Sequence, residues 1–295
     1  MKLQEKLIKA IPKYLIQLIL LSLGLSILLT PKVLGQTTLV ELENSTSHKG
    51  STNFQMNYTT FLSTNTTLPK RTGHQSSQEH ILSMRLSPPK GTQYSLNLNL
   101  NHDFTNEREF LLRDSLFMLT GQPKSLSSSV LFIPRTAITL PFSEVSNKFS
   151  GLITALRFNP IVTLRFASEN TILRNLSFVY RPSVVWNIHQ YQQFINGESN
   201  NQYSISQSLS ALYSLRPHIF ISLDNTYIRS FTYEGKSNDF FNFNQSISYN
   251  FSRDLSLFLG HSLGGNALAL NGQESNVQFF NIEDSQYYTG ISYQF

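Results

Sequence analysis

The feature that most constrains this chain is a strict alternation of apolar and small polar residues over long runs. In residues 92–104, every second residue from Tyr94 to Leu100 is Tyr or Leu, and Ser and Asn lie between them. The same period of two recurs in 174–188, 201–215 and 239–252. Because successive side chains of a strand point to opposite faces, this period predicts β-strands with one apolar and one polar face.

The alternation and its interruptions predict about twelve strands, which cover residues 51–62, 78–87, 92–104, 110–119, 128–141, 150–166, 174–188, 201–215, 217–231, 239–252, 254–263 and 285–295. The fourth is ambiguous because Arg113 and Asp114 fit neither face. The sixth contains Pro160, so it is either one kinked strand or two short ones. Short links follow strands two, eight and ten, whereas the links 63–77, 189–200 and 264–284 are long.

Strand length and low charge favour a membrane barrel over the alternative, a secreted soluble β-sandwich. Crossing a bilayer takes roughly 9–11 strand residues, and several runs are that long. Open sheet edges are too costly in hydrocarbon, so a sheet in a membrane must close on itself. The polar face is mostly uncharged Ser and Asn, which suits a wet interior. The predicted fold is therefore all-β: a single closed, antiparallel, up-and-down transmembrane β-barrel.

The N-terminal residues resemble a secretory signal. Four lysines precede an apolar run from Leu15 to Leu29, and small residues around Gly35 precede Gln36. This pattern predicts a signal peptide in 1–35, although an uncleaved anchor is the alternative. Residues 36–50 are then a flexible periplasmic lead or a short plug, and 51–295 form the barrel. The formal net charge of +5 arises mostly from lysines in the first segment, so we expect no nucleic-acid partner.

Aromatic residues are expected to form two girdles at the membrane–water boundaries. With short turns in the periplasm, both termini are periplasmic and aromatics fall near each rim. The girdle candidates are Trp186, Tyr203 and Tyr287 at the external rim, and Tyr213, Tyr249 and Tyr293 at the periplasmic rim.

The C-terminal residues 287–295 (YYTGISYQF) resemble the last strand of bacterial outer-membrane β-barrel proteins, including the porins. Strands of that class end in an aromatic residue with apolar residues at alternate positions. Tyr287, Ile291, Tyr293 and Phe295 match the pattern, whereas Thr289 departs mildly. The resemblance implies an outer-membrane location, a lipid bilayer around the barrel, and recognition by the barrel assembly machinery. It does not imply a transported solute.

Charged residues on the predicted inward face lean positive. By parity these residues are Arg85, Arg135, Arg157, Arg165, Arg181, Asp103 and Asp224. One interpretation is a lumen that favours anionic solutes. The other is that the arginines pair with carboxylates and fill a plugged lumen, which leaves a structural or surface-binding barrel. The leading hypothesis is a narrow passive channel for small solutes without a cofactor. Scattered histidines show no metal-ligand spacing.

The motif Gly260-His261-Ser262-Leu263-Gly264 matches the G-x-S-x-G nucleophile elbow. An elbow needs a strand that turns sharply into a helix, and the residues that follow are too short and glycine-bounded for one. A hydrolase that resembles outer-membrane phospholipase and uses Ser262 is the weaker alternative. Adjacent residues of a strand point to opposite faces, which works against a direct pairing of His261 with Ser262.

Overall fold

The computed structural model describes residues 52–65, 75–89, 91–104, 110–166, 170–267, 275–277 and 285–295. The expected signal peptide and periplasmic lead lie outside these residues. The strands are β1 (Asn53–Asn65), β2 (Ser76–Ser87), β3 (Gln93–Asp103), β4 (Phe110–Leu112), β5 (Ser115–Thr120), β6 (Lys124–Ser125), β7 (Val130–Ile133), β8 (Arg135–Leu140), β9 (Leu152–Phe158), β10 (Ile161–Arg165), β11 (Leu176–His189), β12 (Asn201–Arg216), β13 (Ile219–Thr232), β14 (Ser237–Asn250), β15 (Leu255–Asn266) and β16 (Gln286–Gln294).

Two short helical segments join these strands, a π-helical turn at Val145–Phe149 and helix α1 at Thr171–Arg174. Within the described ranges, no helix has the length and apolar character needed to cross a membrane.

The strands close into an antiparallel barrel of twelve, as the alternation predicts. The ring runs β1-β2-β3-β5-β8-β9-β11-β12-β13-β14-β15-β16 and returns to β1. The first and last strands pair over their length, from Asn57 opposite Gln294 to Asn65 opposite Gln286. The remaining four strands extend or flank members of this ring. A closed ring leaves no long edge to pair with another chain.

The apolar rows point outward, away from the barrel interior. Trp186 is 60% exposed and Leu259 is 56% exposed, although both lie within long strands. Residues directly opposite each other across two strands share a face, so partners such as Leu257 and Ile291 extend the same surface. A soluble sandwich would bury these rows between its sheets, and the observed exposure excludes that alternative.

Three prolines lie side by side across neighbouring strands. Ile133 pairs with Ile161 and Thr136 with Phe158, which places Pro134 opposite Pro160. The β11 register then places Pro182 beside Pro160. Proline cannot donate to the strand ladder, so the pairing is interrupted along this row. The predicted sixth strand is therefore two segments, β9 and β10, that keep a single register in the barrel wall.

The ambiguity at Arg113 and Asp114 also has a structural cause, because the predicted fourth strand breaks there into β4 and β5. The Arg113 N–H still donates to the carbonyl oxygen of Asn99, at 2.9 Å. The Asp114 carboxylate turns away and accepts hydrogen bonds from the Ser143 N–H and the Ser146 hydroxyl. These bonds tie the loop 141–151 to the wall.

The two ends of the barrel differ in their connections. One end has the short links 88–92, 126–129, 217–218 and 251–254, along with the link 166–175 that contains α1. The other end has the longer links 66–75, 141–151, 190–200 and 267–285. The turn 233–236 at this second end holds an ion pair of Glu234 and Lys236, at 2.8 Å. Their hydrogen bond lowers the pKa of Glu234 and raises that of Lys236.

Candidate functional site: the inner wall of the barrel

Cross-strand pairing places the predicted arginines on the inner face of the sheet. Arg85 lies between Gln55 and Ser95, and Arg157 lies between Ala137 and Val185. The remaining arginines occupy the same face: Arg135 opposite Thr120, Arg165 opposite Ser177, and Arg181 opposite Ser208. Most of them therefore cluster on the wall formed by β8 to β11.

Arg135 and Arg157 form the centre of this cluster. The Nε of Arg135 donates to the Asn159 side-chain oxygen at 3.2 Å and also approaches its carbonyl oxygen at 3.4 Å. Arg157 lies diagonally across the β8–β9 pair, at the spacing that lets long side chains meet. Its Nε is buried and makes no hydrogen bond. A guanidinium with an unused donor is a ready contact for an anion.

The predicted acidic residues also lie on the inner face. Asp224 accepts a hydrogen bond from the hydroxyl of its cross-strand partner Ser210. Asp103 lies at the end of β3 opposite Ser77. Ion pairs elsewhere in the described residues join Lys148 to Glu144, Arg229 to Asp239, and Lys236 to Glu234.

A second inward charged group was missed from the sequence. The Asn101 amide donates to the Gln78 carbonyl oxygen at 3.2 Å and accepts from Arg113 at 3.1 Å. Glu79, two residues from Ser77 on the same face, is attracted to Arg113 as well. The alternation in β2 is enough to predict that Glu79 points inward. Because the strand breaks at residue 113, the sequence does not show which way the Arg113 side chain points.

The inner face also contains large apolar side chains, which the prediction of a Ser- and Asn-lined lumen did not include. Ile133, Ile161 and Val179 form one buried cluster with Leu131 against it. Leu116, Met118 and Ala137 form another on the adjacent strands. The rings of Phe61, Phe258 and Tyr288 meet across the barrel seam with centroids 6.1–6.4 Å apart. These groups occupy space inside the barrel.

The G-x-S-x-G motif lies within β15 and has no turn at the serine. Ser262 faces inward opposite Asn244 and Gln286, whereas His261 faces outward opposite Gln245 and Tyr287. The two residues therefore cannot act as a pair, and the elbow geometry is absent. Within the described residues, no three His, Cys, Asp or Glu side chains are grouped closely enough to hold a metal ion.

The girdle candidates lie on the outer face. Trp186 is opposite Tyr203, whose ring stacks on Phe231 with centroids 4.6 Å apart. Near the other end, the ring pairs Tyr249–Phe251 and Tyr293–Phe295 adopt edge-on contacts at 4.8 and 4.7 Å.

The other two girdle candidates differ in their exposure. Tyr287 is 39% exposed, and Tyr213 is half-buried opposite Leu176.

The residues proposed as an insertion signal lie along the outer face of β16. Ile291 and Tyr293 are exposed there, and Phe295 follows directly after the strand. The Phe295 N–H donates to the carbonyl oxygen of Met56 at 2.8 Å, which joins the chain end to β1.

The fold is that of an outer-membrane porin-like barrel. No family model and no curated protein matches the sequence. Among solved structures, an outer-membrane channel from Pseudomonas putida F1 is similar at 11% identity and a TM-score of 0.52, over 85% of this chain and 97% of that one. A NanC porin (12% identity, TM-score 0.49) covers 81% and 98% of the respective chains, and a KdgM porin (10%, 0.45) covers 82% and 99%.

Proposed function

We propose that this protein is an integral outer-membrane barrel that acts as a narrow passive channel for small solutes, with a preference for anions. The observation that carries the proposal is the composition of the inner wall. Ser, Asn and Thr side chains there surround Arg85, Arg135, Arg157, Arg165 and Arg181, which outnumber the described inward carboxylates Glu79, Asp103 and Asp224. A twelve-strand barrel is wider than the side-chain-filled barrel of about eight strands and narrower than a porin of about sixteen. Its lumen therefore suits small solutes, which diffuse through without a cofactor.

The outer surface supports the membrane location. Exposed Leu, Ile and Phe rows between aromatic belts suit hydrocarbon and its interfaces, and they are unfavourable in water. We place the short turns and both chain termini in the periplasm, with residues 1–35 as a removed signal peptide. We further propose that the assembly machinery recognises β16 and Phe295, and that the lipid bilayer is the barrel's permanent partner.

Conductance in planar bilayers tests the channel. The purified protein is expected to give discrete current steps, with a reversal potential of the sign for anion preference under a salt gradient. Replacement of Arg157 and Arg181 by Ser removes positive charge from the inner wall and is expected to lower the anion-to-cation permeability ratio by roughly two-fold or more. The matched control for each single replacement is Arg253→Ser, which removes one positive charge from an exposed turn.

A plugged barrel is the competing function, and the inward apolar clusters favour it. It predicts no current steps from protein that is demonstrably folded and inserted. A cation preference of the wild-type channel would contradict the role given to the arginines while leaving the channel itself intact.

A further inference from the structure

A polar cluster lies on the outer face of the barrel, beside rows of exposed apolar side chains. His261, Gln245 and Tyr287 occupy neighbouring strands at one level, since Gln245 and Tyr287 are the two cross-strand partners of His261. Ser285 directly precedes β16, two residues from Tyr287. His261 is 6% exposed and Ser285 is fully buried. Burial of these two polar side chains on the outer face calls for hydrogen-bond partners.

The side chains of Ser285, His261 and Gln245 form one hydrogen-bonded chain. His261 Nε2 lies 2.8 Å from the Ser285 hydroxyl oxygen, and His261 Nδ1 lies 3.0 Å from the Gln245 amide. An activated serine nucleophile consists of a hydroxyl, an imidazole and a group that orients the imidazole. The three side chains here lie in this order and at suitable distances.

Proton placement decides whether the serine is activated. With the Gln245 amide nitrogen towards Nδ1, the amide donates to the ring, and Nε2–H donates to Ser285. A half-turn of the amide puts its oxygen in the same place, where it accepts from Nδ1–H. The Nε2 lone pair then accepts the Ser285 proton, which makes His261 a general base.

The surroundings indicate the class of substrate. Directly along the strands from His261 lie Leu259 and Leu257, both exposed on the outer face, and Ile291 lies beside them on β16. The Tyr287 ring is 5.2 Å from that of His261 and belongs to the expected external girdle. Such a ring lies at headgroup depth, where the ester groups of phospholipids also lie. An acyl chain along the leucine row would bring its ester to Ser285.

An apolar cluster lies next to the site. Tyr227, Phe241, Leu263 and Ala267 form a buried cluster on the outer face, and Val277 packs against it. Asn276 donates from its backbone N–H to the Ala267 carbonyl oxygen at 2.8 Å, so residues 275–277 lie against the end of β15.

We propose that Ser285, His261 and Gln245 form a catalytic site for hydrolysis of phospholipid acyl esters on the outer wall of the barrel. Ser285 Oγ attacks the ester carbonyl carbon as its proton passes to His261 Nε2, and the carbonyl electron pair moves to oxygen. The C–O bond to the glycerol breaks, and Nε2 returns the proton to the departing alcohol. Water then releases the fatty acid from Ser285 by the reverse proton path. Gln245 acts as the positioning residue.

This inference rests on the membrane-embedded barrel of the proposed function, but it does not require conduction. Ser262 and the arginines face the lumen, whereas Ser285 and His261 face outward. The two activities are therefore tested by different substitutions and different measurements. Loss of current with retained hydrolysis, or the converse, separates them.

Release of fatty acid from a phosphatidylcholine with a fluorescent acyl chain, in mixed detergent micelles, tests the site. Ser285→Ala is expected to lower the rate by more than about 100-fold, because the covalent route is lost. Ser262→Ala, next to His261 but on the inner face, is the matched control and should stay within about two-fold of wild type. A fluorophosphonate should label Ser285, as read by peptide mass spectrometry.

Gln245 has a separate readout. Gln245→Leu is expected to lower kcat with little change in KM and to alter the acid limb of the pH profile, and Gln245→Glu should restore part of kcat. Slower migration of each variant after boiling establishes that it is folded. Absence of hydrolysis from folded wild type together with absence of label at Ser285, or hydrolysis that persists in Ser285→Ala, overturns the proposal.

Discussion

At the scale of single residues, two glycines make room for the aromatic cluster inside the barrel. A Cβ on Gly260 would lie 2.1 Å from a ring atom of Tyr288, so the ring packs directly on the β15 backbone. A Cβ on Gly290 would lie 2.4 Å from the Thr60 carbonyl oxygen and 2.5 Å from a ring atom of Phe258. Glycine is needed at both positions because it lacks the Cβ that would collide, and its backbone conformation is not the reason.

Gly290→Ala is therefore expected to destabilise the barrel by about 1–3 kcal/mol, the usual cost of overpacking. Urea unfolding in lipid vesicles, followed by fluorescence of the single tryptophan Trp186, measures the change. Gly265→Ala is the matched control, since a Cβ there has nothing within 4 Å. An unchanged unfolding midpoint in Gly290→Ala would contradict tight packing at the seam.

At the scale of elements, β16 has the largest structural role for its length. It pairs with β15 on one side and β1 on the other, and so it completes the ring between the two ends of the chain. Its outward residues alternate Tyr287, Thr289, Ile291 and Tyr293, and Phe295 continues that row. The same strand thus provides the closure, part of both expected aromatic belts and the sequence that resembles an insertion signal.

A comparison of two belt phenylalanines isolates the proposed signal. Phe295→Ala is expected to reduce the amount of folded protein in the outer membrane several-fold, because recognition during assembly is weakened. Phe251→Ala removes a similarly exposed ring that also lies edge-on to a tyrosine, but from a turn. Quantitative immunoblots of membrane fractions measure both variants. Equal yields would show that Phe295 contributes only its share of the aromatic belt.

At the scale of the whole molecule, the two faces of the single sheet differ in polarity. The outer face carries the leucine, isoleucine and aromatic rows, and the inner face carries most of the serines and asparagines. The inner wall of β8 to β11 combines arginines with two apolar clusters, whereas the wall of β12 to β14 is mainly Ser, Thr and Asn. The lumen is thus asymmetric, with positive charge and bulk on one side.

This architecture predicts a heat-modifiable membrane protein. Without boiling, the closed barrel is expected to resist dodecyl sulfate and migrate differently from the boiled chain, because its hydrogen-bonded ring has no free edge at which unfolding can begin. Membrane fractionation should recover it only with detergent. Identical mobility with and without boiling, together with release in plain buffer, would contradict an integral barrel.

Much of the fold could be predicted because side-chain period and facing direction are local properties. Alternation in residues 92–104 or 239–252 requires only the geometry of a single strand, and the terminal pattern around Tyr293 and Phe295 is contiguous. The strand number and the outward direction of the apolar rows follow from those local patterns and the need to close the sheet. The two places where the strand prediction is ambiguous, Arg113-Asp114 and Pro160, contain residues that interrupt the hydrogen-bond ladder between strands.

What only the tertiary structure decided is which distant residues meet, because that depends on register and not on period. In the sequence His261 stands next to Ser262, which points to the opposite face, whereas the β15–β16 register brings His261 to Ser285 and the β14–β15 register brings it to Gln245. The inward aromatic cluster likewise joins residues from β1, β15 and β16. A shift of one residue in any of these pairings would turn each side chain to the other face, so such groups are set by the assembled sheet alone.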